Sequence, residues 1–102
     1  SMQTGSFLLT GTEKAMEETF GSTMHGAGRT MSRRAAKKMV RGDQLMRTMA
    51  NDGILVKAAS MPGLAEEAGI AYKDISEVVD TMDTLGISKK VVKLKPVGNI
   101  KG

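Results

Sequence analysis

His25 is the only imidazole in the chain, and it sits in the run Ser22-Thr23-Met24-His25-Gly26-Ala27-Gly28-Arg29. The glycines beside it let backbone approach a ligand closely and adopt left-handed conformations that other residues avoid. Arg29 and Arg33 follow at i+4 and i+8 from His25. If a helix starts near Ala27, the two guanidiniums share a face and can fork onto phosphate oxygens. The helix N-terminus would add an anion site of its own. An imidazole beside phosphate-binding groups suits nucleophilic attack on phosphorus, giving a phosphoramidate. It suits general acid–base work equally. The plainer readings are a surface or hydrogen-bonded histidine, ordinary turn glycines, and a solvated helix face from Arg29 to Arg41. The pattern is neither the dinucleotide-binding Gly-x-Gly-x-x-Gly nor a P-loop.

The elements that must position this loop follow from caps and periodicity. Ser6 to Thr10 reads as a short buried strand. Thr12 caps a helix from Glu13 to about Phe20, with an acid in its first turn where the dipole favours one, and Gly21 stops it. Residues 21–28 form a loop. A second helix is expected from about Arg29 to Val40, ended by Gly42, and Asp43 caps a third through about Asn51. Ile54 to Ala59 reads as a strand, and Pro62 opens a short helix through Ala68. Asp74 starts the clearest helix, with Glu77 at capping-box spacing. In it, Ile75, Val78, Val79, Met82 and Leu85 form one apolar stripe up to Gly86. A strand over Val91 to Lys95 precedes Pro96, and Gly98 to Gly102 reads as a tail. Strands and helices without strict alternation predict an α+β fold, one unit over residues 1–102.

At 102 residues the chain has room for one domain. Nine methionines against three aromatic residues imply an aliphatic, Met-rich core. With no cysteine and one histidine, disulfides, zinc fingers, thiol catalysis and a complete His-rich metal site within these residues are all excluded. The apolar runs are too short for a membrane span or a signal peptide, so a cytoplasmic protein is expected. The opening Ser1-Met2-Gln3 is expected of a piece of something longer. Net charge is +4, unevenly spread. Arg29, Arg33, Arg34, Lys37, Lys38 and Arg41 form one basic block without acids, and Lys89, Lys90, Lys93, Lys95 and Lys101 form another. An acidic stretch separates them. Such blocks suit a polyanion partner, which leaves open a non-catalytic basic module that binds RNA or phosphate.

The run Ser22 to Arg29, followed by Met31-Ser32-Arg33, closely resembles the signature of the RtcB-type RNA ligases, a tRNA-splicing ligase family. The resemblance continues through Leu9 to Met16, Val56 to Ser60, Glu66 to Ala68, Ala71 to Asp74 and Lys101-Gly102, so it covers essentially the whole chain. It implies the C-terminal, guanylate-accepting segment of a larger catalytic domain. The family joins RNA ends bearing a 3′-phosphate or 2′,3′-cyclic phosphate to 5′-hydroxyl ends, using GTP and manganese, in tRNA splicing and RNA repair.

On that resemblance His25 matches the guanylylated nucleophile. Ser1, Ser6, Gly26, Ala27, Gly28, Tyr72 and Lys101 match residues that bind the guanylate. Arg29 and Arg33 match positions associated with phosphate or RNA backbone. The partners implied are RNA such as tRNA halves, the preceding region of the ligase, and an archease-type activator. Met24 stands where the family usually has cysteine. The family's metal ligands lie in the preceding region, so no metal ligand is expected among these residues, and the segment alone is expected to be inactive. Glu66 and Glu67 read as helix-face charges.

Overall fold

The computed structural model describes residues 1–102. Five helices and four short strands follow one another without regular alternation, an α+β arrangement as the sequence predicts. Strand β1 (Ser6–Gly11) pairs antiparallel with β3 (Ser88–Leu94). Its register slips between Leu8 and Leu9, which face Val92 and Lys90, so Val91 forms a bulge. Strand β2 (Leu55–Ala58) pairs in parallel with β4 (Gly98–Lys101). The expected tail is therefore a strand, held by backbone bonds to β2 and by the Asn99 side-chain amide donating to the Met2 carbonyl at 3.0 Å.

Three helix starts follow their caps. The Thr12 hydroxyl accepts from the Ala15 N–H and opens α1 (Glu13–Thr19). The Ser60 hydroxyl accepts from the Gly63 N–H and opens α4 (Met61–Glu66), with Pro62 in the first turn, where its missing N–H costs nothing. Asp74 accepts from the Ser76 N–H and opens α5 (Ile75–Thr84).

Two expectations fail here. Helix α2 spans Arg33–Met39 rather than starting near Ala27 or Arg29, because the Ser32 side chain caps it by accepting from the Ala35 N–H. Helix α3 (Gly42–Asn51) contains Asp43 in its first turn, so Asp43 is not its cap. Gly42 does more than end a helix: a side chain there would lie 2.1 Å from the Met61 carbonyl oxygen, so only glycine lets α3 start against α4.

Met2, Leu45, Met49, Ile54, Val56, Leu64 and Ala68 form the main core, with Val40, Met46 and Ala58 packed on it. It is aliphatic and carries two methionines, and no aromatic residue enters it. Phe20 is 95% exposed, at the left-handed end of α1. The molecule is long, 45 × 27 × 21 Å, with a radius of gyration of 15.4 Å. A compact chain of this length would give about 13 Å. The excess goes with the β1–β3 ribbon, where Leu8, Val91, Val92 and Leu94 are roughly half exposed. Strand β1 is thus not the buried strand the sequence suggested. No helix is long and apolar enough to cross a membrane.

Candidate functional site

The His25 segment is slung between two anchors. At its start the Thr19 hydroxyl donates to the Ser22 carbonyl at 2.6 Å. The Thr23 hydroxyl shares a 2.9 Å hydrogen bond with that of Ser88 on β3. At its end the Lys73 N–H donates to the Gly28 carbonyl at 2.9 Å, and the Thr30 N–H donates to the Ala71 carbonyl at 2.8 Å. These bonds surround an antiparallel bridge between Arg29 and Tyr72. Between the anchors, Met24, His25, Gly26 and Ala27 make no hydrogen bond. Neither Gly26 nor Gly28 takes a positive φ, so the left-handed conformations considered for them are not used. A side chain at either would meet nothing within 4 Å.

Two small clefts of about 180 Å³ each adjoin at this segment and share Ser1 and Gly26. The first holds Ser6 and the exposed His25 over an apolar floor of Leu9, Met24, Ile75 and Val79. The second is walled by Ala27, Glu67, Tyr72 and Lys101. Together they gather Ser1, Ser6, His25, Gly26, Ala27, Tyr72 and Lys101 from five separate stretches of chain. Gly28 lies outside both walls and contributes its carbonyl to the anchor. A larger cavity of about 670 Å³, among Gln3, Asn51, Asp52, Lys93 and Lys95, lies apart from the imidazole.

The arginines converge, though not as one helical face. Arg29 precedes α2 and is held from every side. Its Nη1 donates to the Tyr72 hydroxyl at 2.8 Å, its Nη2 to the Glu66 carbonyl at 2.7 Å and its Nε to the Met31 carbonyl at 3.1 Å. Its guanidinium carbon stands 4.8 Å from the Tyr72 ring centroid, a cation–π contact. The Tyr72 hydroxyl in turn donates to Glu67 at 2.5 Å. Burial raises the Tyr72 pKa above its usual value, and the neighbouring Glu67 carboxylate adds to this. Arg33, on α2, is exposed and lies 3.8 Å from Glu66 and 3.9 Å from Glu67. Lys37 pairs with Glu66 at 2.9 Å, and this hydrogen bond is the main cause that holds the Glu66 carboxyl below its usual value.

Glu66 and Glu67 are therefore more than helix-face charges. They pair with Arg29, Arg33 and Lys37, three of the six cations in the first basic block, and Glu67 walls a cleft. The signal was present in the sequence as an acidic pair beside Ala68, but its basic partners lie about thirty residues earlier. The second block is likewise partly matched, with Lys89 on Asp83 and Lys90 on Asp80. No three His, Cys, Asp or Glu side chains converge within these residues.

The family model described as tRNA-splicing ligase RtcB matches residues 1–102. The chain belongs to the RtcB family. It is 61% identical over 101 residues to a tRNA-splicing ligase RtcB of Methanopyrus kandleri, covering 99% of this chain and 10% of that protein. It is 54% identical over 102 residues to the one of Archaeoglobus fulgidus, covering 100% of this chain and 21% of that protein. With the one of Pyrococcus horikoshii it shares 52% over 102 residues, 100% of this chain and 12% of that protein. The chain thus spans about a tenth to a fifth of the length of the RtcB relatives it matches.

Proposed function

We propose that this chain is the guanylate-accepting segment of an RNA ligase that works in tRNA splicing, as the names of its relatives suggest. The observation that carries the reading is the pair of adjoining clefts. They set an exposed, unpartnered imidazole beside Lys101, Tyr72 and two serine hydroxyls. In this reading a lone pair on a His25 ring nitrogen attacks the α-phosphorus of GTP. The P–N bond forms, the bond to the bridging oxygen breaks and pyrophosphate leaves with its electrons. The GMP then passes to an RNA 3′-phosphate, and a 5′-hydroxyl displaces it to seal the strand. RNA ends with a 2′,3′-cyclic phosphate enter the same route once opened.

The parts the chain supplies follow from their chemistry. Tyr72 offers a ring face for guanine, the face away from Arg29. Lys101 supplies positive charge in the second cleft, and its place on β4 fixes its backbone. Ser1 and Ser6 offer hydroxyls. Arg33, two-thirds exposed, is the better placed of the two arginines for RNA phosphate, since Arg29 already has partners on all three nitrogens. Manganese belongs with ligands supplied by the preceding region of the ligase, and an archease-type activator is a further partner on this reading.

The test is covalent labelling with GTP carrying a radioactive α-phosphate, in the presence of manganese, with and without the preceding region. The mixture takes an acid-labile label at His25, and the isolated chain takes none. Labelling of the isolated chain would overturn the dependence on the preceding region. Labelling that survives His25→Ala would overturn the nucleophile assignment.

A further inference from the structure

Ser88 is 2% exposed and is the one buried residue with a polar side chain. A hydroxyl in such a place loses its water and is costly unless it is hydrogen-bonded. Its only partner is the hydroxyl of Thr23 at 2.9 Å, 65 residues away in sequence. Thr23 is exposed, so water could satisfy it without Ser88. The bond is therefore not needed to rescue Thr23; what it does is fix the start of the His25 segment to β3.

The turn that leads to Ser88 is itself held by hydrogen bonds. The Thr12 hydroxyl donates to the Gly86 carbonyl at 2.6 Å, and Lys14 Nζ donates to the Leu85 carbonyl at 2.7 Å. These two contacts hold the turn that delivers β3, and Ser88 pairs with Gly11 at the start of the ribbon. From Thr23 to His25 the chain has only two residues to run, about 7 Å when extended. At the far end, the Gly28, Arg29 and Thr30 contacts fix the segment to the strand-like stretch at Tyr72. Met24 to Ala27 form no hydrogen bonds of their own, so the hydrogen bonds that hold the segment are those of its two anchors, with Met24 forming part of the apolar floor between them.

We infer that Ser88, acting through Thr23, is a positioning residue that holds His25 in line for attack. The inference rests on the reading of His25 as the guanylylated nucleophile. Ser88 touches neither GTP nor RNA in this account. Removing its hydroxyl frees one end of the segment and lowers the rate at which the imidazole reaches phosphorus, while the cleft that binds guanylate keeps its walls.

The experiment uses the ligase that contains this segment, with Thr23→Val, Ser88→Ala, the double variant and Thr23→Ser. Single-turnover guanylylation is measured against GTP concentration. Each single hydroxyl loss slows labelling about 10-fold, because a misplacement near 1 Å can cost about 100-fold. The GTP concentration for half-saturation stays within about twofold. The double variant is no slower than either single one, and Thr23→Ser keeps the parent rate. An unchanged rate in Ser88→Ala overturns the inference, as does a double variant whose losses multiply or a loss that appears only in GTP affinity. Thr23→Val, at an exposed position, keeps the test alive if Ser88→Ala misfolds.

A second readout, on the same ligase ¹⁵N-labelled in this segment, separates this claim from the nucleophile assignment. Backbone ¹⁵N order parameters of residues 24–27 fall toward about 0.6 in Ser88→Ala. Unchanged order parameters overturn the positioning role, whatever the labelling shows. If the parent ligase takes no label at His25, the nucleophile reading fails and the order parameters still decide whether Ser88 orders the segment.

Discussion

Around Tyr72 three side chains are tied together: the hydroxyl sits between Arg29 and Glu67, and Arg29 reaches two backbone carbonyls besides. Around His25, across the shared Gly26, the side chain and the flanking backbone have no hydrogen-bond partner. On the proposed reading the two clefts divide the work between them. A surface that must present a ring in one orientation gains from a satisfied network, which rigidifies it. The proposed nucleophile gains from an uncommitted lone pair, and the hydrogen bonds that hold its loop lie at the loop's ends. The difference predicts opposite mutational behaviour on the two sides: stability changes beside Tyr72 and chemistry changes beside His25.

The largest expected effect is therefore His25→Ala, which abolishes covalent labelling of the ligase and leaves the melting temperature of this chain unchanged within about 1 °C, since an exposed side chain without a hydrogen-bond partner contributes little. A shift of several degrees would break the contrast. On the other side, Arg29→Ala removes three hydrogen bonds from a charged donor and leaves the Tyr72–Glu67 pair uncompensated. It should cost about 2–3 kcal/mol in urea unfolding. A cost below about 0.5 kcal/mol would mean that the network does not stiffen the wall.

Tyr72→Phe is gentler, at about 1 kcal/mol, and it carries a pH signature. The folded state holds the phenol's proton more tightly than the unfolded chain does, first through burial and then through Glu67. That contribution is whole below the ordinary phenol value of 10.0 and is lost as pH rises through the higher folded value. Urea titrations of the parent chain should therefore lose stability on the alkaline side of pH 10.0. Tyr72→Phe should flatten that loss, and parallel curves for the two proteins would contradict the assignment.

Local signals in the sequence reached the His25 side of this contrast better than the Tyr72 side. The caps at Thr12 and Asp74 read correctly because a cap is decided within three residues. The loop around His25 read correctly because its glycines and its imidazole are contiguous. The composition of Arg29 to Arg34 points to a helix start earlier than the observed one, and the Ser32 cap outcompetes a start at Ala27. Strand β4 was unreadable because it has four residues, no clean alternation, and a parallel partner some forty residues away. The Arg29–Tyr72–Glu67 network joins residues from two distant stretches, and only the fold declares it. Lys101 could be assigned to a site by resemblance, but its ordered backbone needed β2.

Gly26 lies at the boundary of the two clefts, and the smallest predicted change in stability falls there. Its φ is one that alanine can adopt, and an added methyl meets no atom within 4 Å. Gly26→Ala should therefore leave the fold intact or stabilise it by about 0.4–1 kcal/mol, because the unfolded chain loses freedom. The same methyl enters the space where guanylate would lie between His25 and Tyr72. The variant should raise the melting temperature slightly while weakening GTP-dependent labelling several-fold, chiefly through a higher half-saturating GTP concentration. That distinguishes it from Ser88→Ala, which slows labelling at saturating GTP. If Gly26→Ala labels at the parent rate and affinity, the nucleotide does not cross the shared wall, and the two clefts do not form one site.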